Sequence, residues 1–403
     1  MKDEFKTISA LLRFTLFAFA VAFVGARIYL KLVDTYSPAN QHWTRTRLRK
    51  ITEAIDKLPT EAPPVNVVFG ASEVEVGINP VSIDEKLSQA GIEAKTYNFG
   101  IRNATGYHLE LLTDRLAIAM NREKDKVDFG ILIFTPLRNT KRFSKEVSEY
   151  GNFGSVSTYS SLIYTPQMLA QRWWPPRADV ISSAVLKYGF GSMSPFSALD
   201  ELDEFIRLWT NYYFDKAEVF NVALMKHALW MNPMFYQGQP WDPATRGRYF
   251  FGYPETSEKL TPFLKAYENP DVLLLSNNID VAYGGGLYFD FDPTLLGNFT
   301  QAIHNVSSVS RHTLLVYYPE LLGYLSPHGA RSIAMALQNL ARSTNAVLLD
   351  YTACNVFTKA DYFDGTHLNL NGQEKLSKLL AEDMAELSLP RPRHAVPSCI
   401  AKK

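Results

Sequence analysis

The sequence predicts an open α/β fold, a five-stranded parallel sheet with helices on both faces and one large insertion. Three observations carry that expectation. Short apolar runs such as "VNVVF" from Val65 alternate with segments whose apolar residues recur every three or four positions. "FGILIFTP" (Phe129 to Pro136) is apolar throughout, as a parallel strand covered on both faces must be. The alternation stops near Leu137 and resumes after Asp292, so residues 137–292 read as an insertion at the end of the third strand.

The first element is of another kind. "FTLFAFAVAFVGA" (Phe14 to Ala26) carries no charge and follows Lys2, Lys6 and Arg13, the pattern of a membrane-targeting segment. A spanning helix needs roughly 20 apolar residues, and Ile8 to Leu30 is long enough if Arg13 and Arg27 extend toward the headgroups. Residues 1–31 are therefore expected to be a single-pass anchor. A cleaved signal peptide is the rival, with "VGA" (Val24 to Ala26) as the cleavage site. "RTRLRK" (Arg45 to Lys50) puts more basic charge after the segment than before it, against a simple positive-inside count. Residues 32–64 then read as a juxtamembrane helix and a linker, "KLPTEAPP".

From Val65 the elements follow in turn. "VNVVF" is the first strand, then a loop, then a helix that Asn79 can cap and Pro80 can open. "KTYNFG", ending at Gly100, is the second strand, and Tyr107 to Met120 is helical by its spacing. After the third strand and the insertion come "TLLVYYP" (Thr313 to Pro319), a helix over Gly329 to Ser343, "AVLLDYT" (Ala346 to Thr352) and a last helix from Asn371 to about Leu387. The sheet domain would span 65–390, leaving 391–403 as a tail.

Composition excludes some classes of function. Lys plus Arg and Asp plus Glu number 41 each, so the chain has no net field to draw it onto nucleic acid. Cys354 and Cys399 allow at most one bridge, which the sequence does not establish. The histidines have no paired metal-ligand spacing, and neither metal nor cofactor is expected.

The chemistry concentrates in two places. "VVFGASEVEVG" sets Ser72 just past the first strand, in a turn that Gly70 and small Ala71 allow. "DGTH" sets Asp364 and His367 after the fifth strand, and a parallel topology returns them to the same sheet edge as Ser72. A serine hydroxyl becomes a useful nucleophile when an imidazole accepts its proton, and a carboxylate fixes the tautomer of that imidazole. Ser72, His367 and Asp364 supply those roles. The competing explanation is that Asp364 and His367 merely cap the last helix, yet Asn369 or Asn371 can do that without them.

These blocks resemble those of the SGNH (GDSL-type) hydrolase superfamily. There the nucleophile lies in a Gly-Asp-Ser block after the first strand, and an Asp-x-x-His block precedes the last helix. "GAS" (Gly70 to Ser72) matches the first with alanine for aspartate, and "DGTH" matches the last in full. "YNFGIRNATGYH" resembles the second block, with Asn103 where the family's oxyanion glycine stands. The third block is not recognisable in "FTPLRNTKRF", where Asn139 is a candidate oxyanion donor.

The resemblance implies a three-layer α/β/α sandwich with a flavodoxin-like sheet. It also implies acyl transfer through an acyl-serine, with the Ser72 and Asn103 backbone N–H groups holding the oxyanion. An anchor joined to such a domain is similar to bacterial proteins of cell-envelope acylation. That similarity implies a bacterial inner-membrane protein with a periplasmic domain, an acylated carbohydrate substrate and a membrane-bound O-acyltransferase as partner. Two other readings stay open: a non-catalytic scaffold of the same fold that binds polysaccharide or the acyltransferase, and a soluble lipase or thioesterase. Aromatic runs in the insertion, "QRWWPPR", "MNPMFYQGQPWDP" and "YGGGLYFDFDP", suit either sugar stacking or core packing.

Overall fold

Apolar strands that exclude water on both faces need helices on both faces, and that is the arrangement found. The computed structural model describes residues 12–15, 17, 18, 21, 39–61, 64–101, 104–139, 241, 243–248, 291–319, 327–354, 356–362 and 367–388. Among them, β1 (Val65–Gly70), β2 (Lys95–Gly100), β3 (Val127–Phe134), β4 (Ser310–Tyr317) and β5 (Val347–Asp350) form one sheet of order β2-β1-β3-β4-β5. Every pairing is parallel. The helices are α1 (Ala39–Lys57), α2 (Ser72–Gly77), α3 (Pro80–Gln89), α4 (Gly106–Ala119), α5 (Pro293–Ser307), α6 (Pro327–Thr344) and α7 (Leu370–Leu387).

Handedness explains the layers. Strand connections run one way from β1 to β2 and the other way from β2 through β3 and β4 to β5, and right-handed crossovers then put their helices on opposite faces. Ile131, Ile133, Leu314 and Val316 accordingly share a core with Ile83 and Leu87 of α3 and Leu376 and Leu380 of α7. On the other face Phe134 meets Phe299 of α5 edge to face, ring centroids 5.2 Å apart, and α5 packs along α4. The reversal puts the topological switch point, where such sheets bind ligands, between the carboxyl ends of β1 and β3.

Both sheet edges are managed. β5 has four residues, a short edge that offers little to an intruding strand. At the other edge a returning piece of the insertion covers β2: Asn98 N–H donates to Arg246 O (2.9 Å), Trp241 Nε1–H to Asn98 O (3.0 Å) and Arg246 Nε–H to Thr96 O (2.9 Å). Arg246 is also ion-paired with Asp84 of α3. Helix α1 buries Leu48, Ile51 and Ile55, and its Asp56 pairs with Arg115 of α4.

Two helices depart from the sequence reading. The stretch after β1, read as a loop, is α2, and α5 was not anticipated at all. Asp292 caps α5, accepting from Thr294 N–H (2.8 Å) and Leu295 N–H (3.2 Å), and Pro293 opens it. These signals lay at the boundary of what read as the insertion, Asp292 being its last residue and Pro293 the next.

The chain divides into two compact units, Thr46–Tyr150 with Met231–Lys403, which holds the sheet, and Met1–Arg45 with Gly151–Trp230. In the second of these, Leu12, Phe14, Phe17 and Val21 are helical and exposed. No helix among the described residues is long and apolar enough to cross a membrane. Most of the expected anchor, most of the insertion with its aromatic runs, and the tail lie outside the described residues.

Candidate active site

The nucleophile turn forms because two strand ends leave room for it. A side chain at Gly70 would put a Cβ 2.2 Å from Val74 Cγ2, and one at Gly100 would put it 2.2 Å from the Glu75 backbone nitrogen. Without those carbons α2 folds back across the ends of β1 and β2. Ala71, extended, is its N-cap and supplies no side-chain bond, although its carbonyl accepts from Val74 and Glu75 N–H at 3.1 Å. Ser72 is the first helical residue and is nearly buried, 6% exposed.

A six-residue helix has few hydrogen bonds of its own, so its remaining carbonyls need outside donors. Asn98 Nδ2 of β2 donates to Val74 O (2.8 Å) and Ile78 O (2.9 Å), and Gln373 Nε2 of α7 donates to Val76 O (2.6 Å). Both donors lie far away along the chain.

His367 arrives by a different construction. An antiparallel bridge between Tyr362 and Leu368 pinches the loop that carries it. Tyr362 Oη donates to Pro319 O (2.8 Å) and Leu368 N–H to Tyr318 Oη (3.1 Å), which ties the pinch to the end of β4. Asn369 caps α7 by accepting from Gly372 N–H at 3.1 Å, as the sequence allowed, and its Nδ2 donates to Ala360 O (2.6 Å). Lys375, reaching back from α7, holds Asp361 of the same loop at 2.7 Å.

These two constructions meet. His367 Nε2 lies 2.9 Å from Ser72 Oγ, across 295 residues of chain. A serine hydroxyl donating to an imidazole whose proton sits on Nδ1 satisfies that contact in the sense nucleophilic catalysis needs. Ser72 Oγ also lies 3.4 Å from Glu73 Oε2, at the long limit for an O–H donor, so the imidazole is its principal partner.

Of the other sequence-predicted residues, Asp364 and Asn103 lie outside the described residues. Asn103 is bracketed by Ile101, whose N–H donates to Gly70 O (3.0 Å), and Ala104, whose N–H donates to Ile101 O (3.1 Å). Asn139 ends a 3-10 turn (Pro136–Asn139) directly after β3, buried at 2% exposure. Its Nδ2 donates to Thr135 O at 3.0 Å, while its Oδ1 and the Thr135 hydroxyl make no hydrogen bond.

Sequence reasoning missed the support of the site. Glu73, Asn98 and Gln373 were read as ordinary loop, strand and helix residues, and Arg47 as part of a basic run. Arg47 is in fact 1% exposed, its Nε–H donating to Gly100 O (2.6 Å) and its Nη2 to Asn98 Oδ1 (3.3 Å). The burial of so basic a residue has no local sequence signal. No group of His, Cys, Asp and Glu side chains suited to a metal is found among the described residues.

Compared with known proteins, the chain matches no protein-family model and no curated protein sequence.

Proposed function

We propose that the chain is a serine acyltransferase or esterase of SGNH type, acting through an acyl-serine on acylated cell-envelope or exported polysaccharide. The 2.9 Å approach of His367 Nε2 to Ser72 Oγ at the carboxyl edge of a parallel sheet carries this reading. The strand order β2-β1-β3-β4-β5, with Ser72 following β1 at the topological switch point, supports it further.

In the proposed reaction Ser72 Oγ attacks the acyl carbonyl as His367 Nε2 takes its proton. Asp364 steadies the imidazolium, and backbone N–H groups at Ser72 and Asn103 hold the tetrahedral oxyanion. The proton then passes from His367 to the departing alcohol, leaving acyl-Ser72. Water or a sugar hydroxyl, deprotonated in turn by His367, releases the acyl group and restores the serine.

Two observations favour an anchored, extracytoplasmic enzyme. Leu12, Phe14, Phe17 and Val21 expose apolar side chains of the N-terminal segment, which suits a lipid surround. Cys354 is disulfide-bonded, and such bonds persist in oxidising compartments. A membrane-bound O-acyltransferase is the partner this reading implies.

Turnover of p-nitrophenyl acetate by the detergent-solubilised full chain tests the proposal. Hydrolysis lost in both Ser72→Ala and His367→Ala supports it. A folded wild type that neither turns over the ester nor becomes acylated favours the scaffold reading instead.

A further inference from the structure

A guanidinium buried among backbone carbonyls must be placed there by strong compensation, because an uncompensated buried charge is costly. Arg47 projects from α1, the helix that follows the apolar N-terminal segment, and backbone and side-chain oxygens among the described residues hold it. Its Nε–H donates to Gly100 O (2.6 Å), the last residue of β2, and its Nη2 donates to Asn98 Oδ1 (3.3 Å) and Gly247 O (3.4 Å). Its charge faces Glu75 of α2, Nε to Oε1 3.9 Å, with that side chain fully buried. One cation thus gathers α1, the end of β2 that leads into the Asn103 loop, the strap over the β2 edge, and the helix that begins with Ser72.

We propose that Arg47 is a positioning residue for Ser72. It acts through Glu75 and Asn98, and α1 is thereby part of the active-site support and not merely a spacer between anchor and enzyme. Arg47 helps orient Asn98, whose Oδ1 it engages beside the Gly100 N–H (2.9 Å), and Asn98 Nδ2 in turn holds Val74 O of α2 and Ile78 O just beyond it. Glu75 lies three residues after Ser72 on the same helix, so a shift of its carboxylate rotates or translates the serine. Displacing a reacting atom by about 1 Å can cost about a hundredfold in rate. A force or partner acting on α1 would reach the serine by the same contacts.

This inference rests on the acyl-serine reading, and the test separates the two. The full chain in detergent is titrated with a fluorophosphonate to obtain the limiting inactivation rate, kinact, and the half-saturating concentration, KI, at a temperature where each variant is folded. Arg47→Lys keeps the charge but not the planar fork. Arg47→Met/Glu75→Gln removes both charges, so a folding failure of Arg47→Met alone does not end the test. Arg115→Gln loosens α1 from α4 without touching α2. The proposal expects kinact to fall about 30- to 100-fold in the two Arg47 variants with KI within about threefold, and Arg115→Gln to lower Tm with kinact unchanged. It is overturned if the folded Arg47 variants keep wild-type kinact, if Arg115→Gln lowers kinact as much, or if neither Arg47 variant folds. A wild type that is never labelled removes the acyl-serine reading itself, and this inference with it.

Discussion

Helices α2 and α3 are neighbours in sequence, separated by two residues, and both touch α7, yet only α3 has a side-chain cap of its own. α3 carries its own start signals: Asn79 accepts from Val81 N–H (3.2 Å), Pro80 takes the first helical position, and Ile83 and Leu87 face the core, while Asn79 N–H and Nδ2 also donate to Ser377 Oγ (2.8 Å) and Glu374 of α7. α2 has no side-chain N-cap, only six residues, and carbonyls held by Asn98 and Gln373. The residue proposed to react sits on the helix that the rest of the fold holds in place. Local signals build a helix anywhere they occur; remote ones build it only where the sheet, α1 and α7 converge, and that ties the nucleophile's position to completion of the fold.

The largest effects should come from the reacting pair. Ser72→Ala or His367→Ala is expected to lower ester turnover by about 10⁴-fold or more, with Tm changed little. Next comes the support of α2. Asn98→Ala strands buried carbonyls and is expected to cost about 3 kcal/mol in urea unfolding, and Gly100→Ala to cost at least as much because its Cβ would overlap the Glu75 backbone. Both should also slow acylation of the folded protein. Asn79→Ala, the matching change in α3, removes the cap and the Nδ2 bonds to Ser82 and Glu374, and should cost about 2 kcal/mol while leaving acylation of Ser72 close to wild type. Equal costs for Asn98→Ala and Asn79→Ala would erase the distinction between the two helices.

Helix α4 sharpens the comparison through pH. Its cap is a reciprocal pair in which His108 Nδ1 accepts from Thr105 N–H at 3.1 Å. Burial lowers the His108 pKa to about 4. The unfolded chain takes that proton near pH 6.5 and the folded chain only near 4, so this contribution is intact above about 6.5 and is lost as pH falls toward 4. The full loss is roughly 3 kcal/mol. Urea midpoints at pH 7.5 and 4.5 should differ less in His108→Gln, and an unchanged difference would contradict the assignment.

What the sequence made legible follows the same division. β2 and the Asn79 and Pro80 start of α3 coincide with their expected positions, and the last helix falls within a residue of its own, because their apolar pattern and caps are local. The pairing of Ser72 with His367 was legible through topology, since parallel strands bring their carboxyl ends to one edge. α2 was not, because "SEVEVG" alternates valine with glutamate, a strand-like pattern, and its donors lie elsewhere: Gln373 reaches Val76 across 297 residues. Arg47 escaped for a related reason. In "RTRLRK" nothing distinguishes a buried arginine from its neighbours until the Gly100 and Asn98 oxygens are in place around it.

The most direct measurement is peptide mass mapping of the full chain after treatment with a fluorophosphonate. The account predicts one phosphonyl adduct, on Ser72, formed by the folded wild type and absent from His367→Ala. A folded wild type that stays unmodified, an adduct on another residue, or equal labelling of Ser72 without His367 would contradict it.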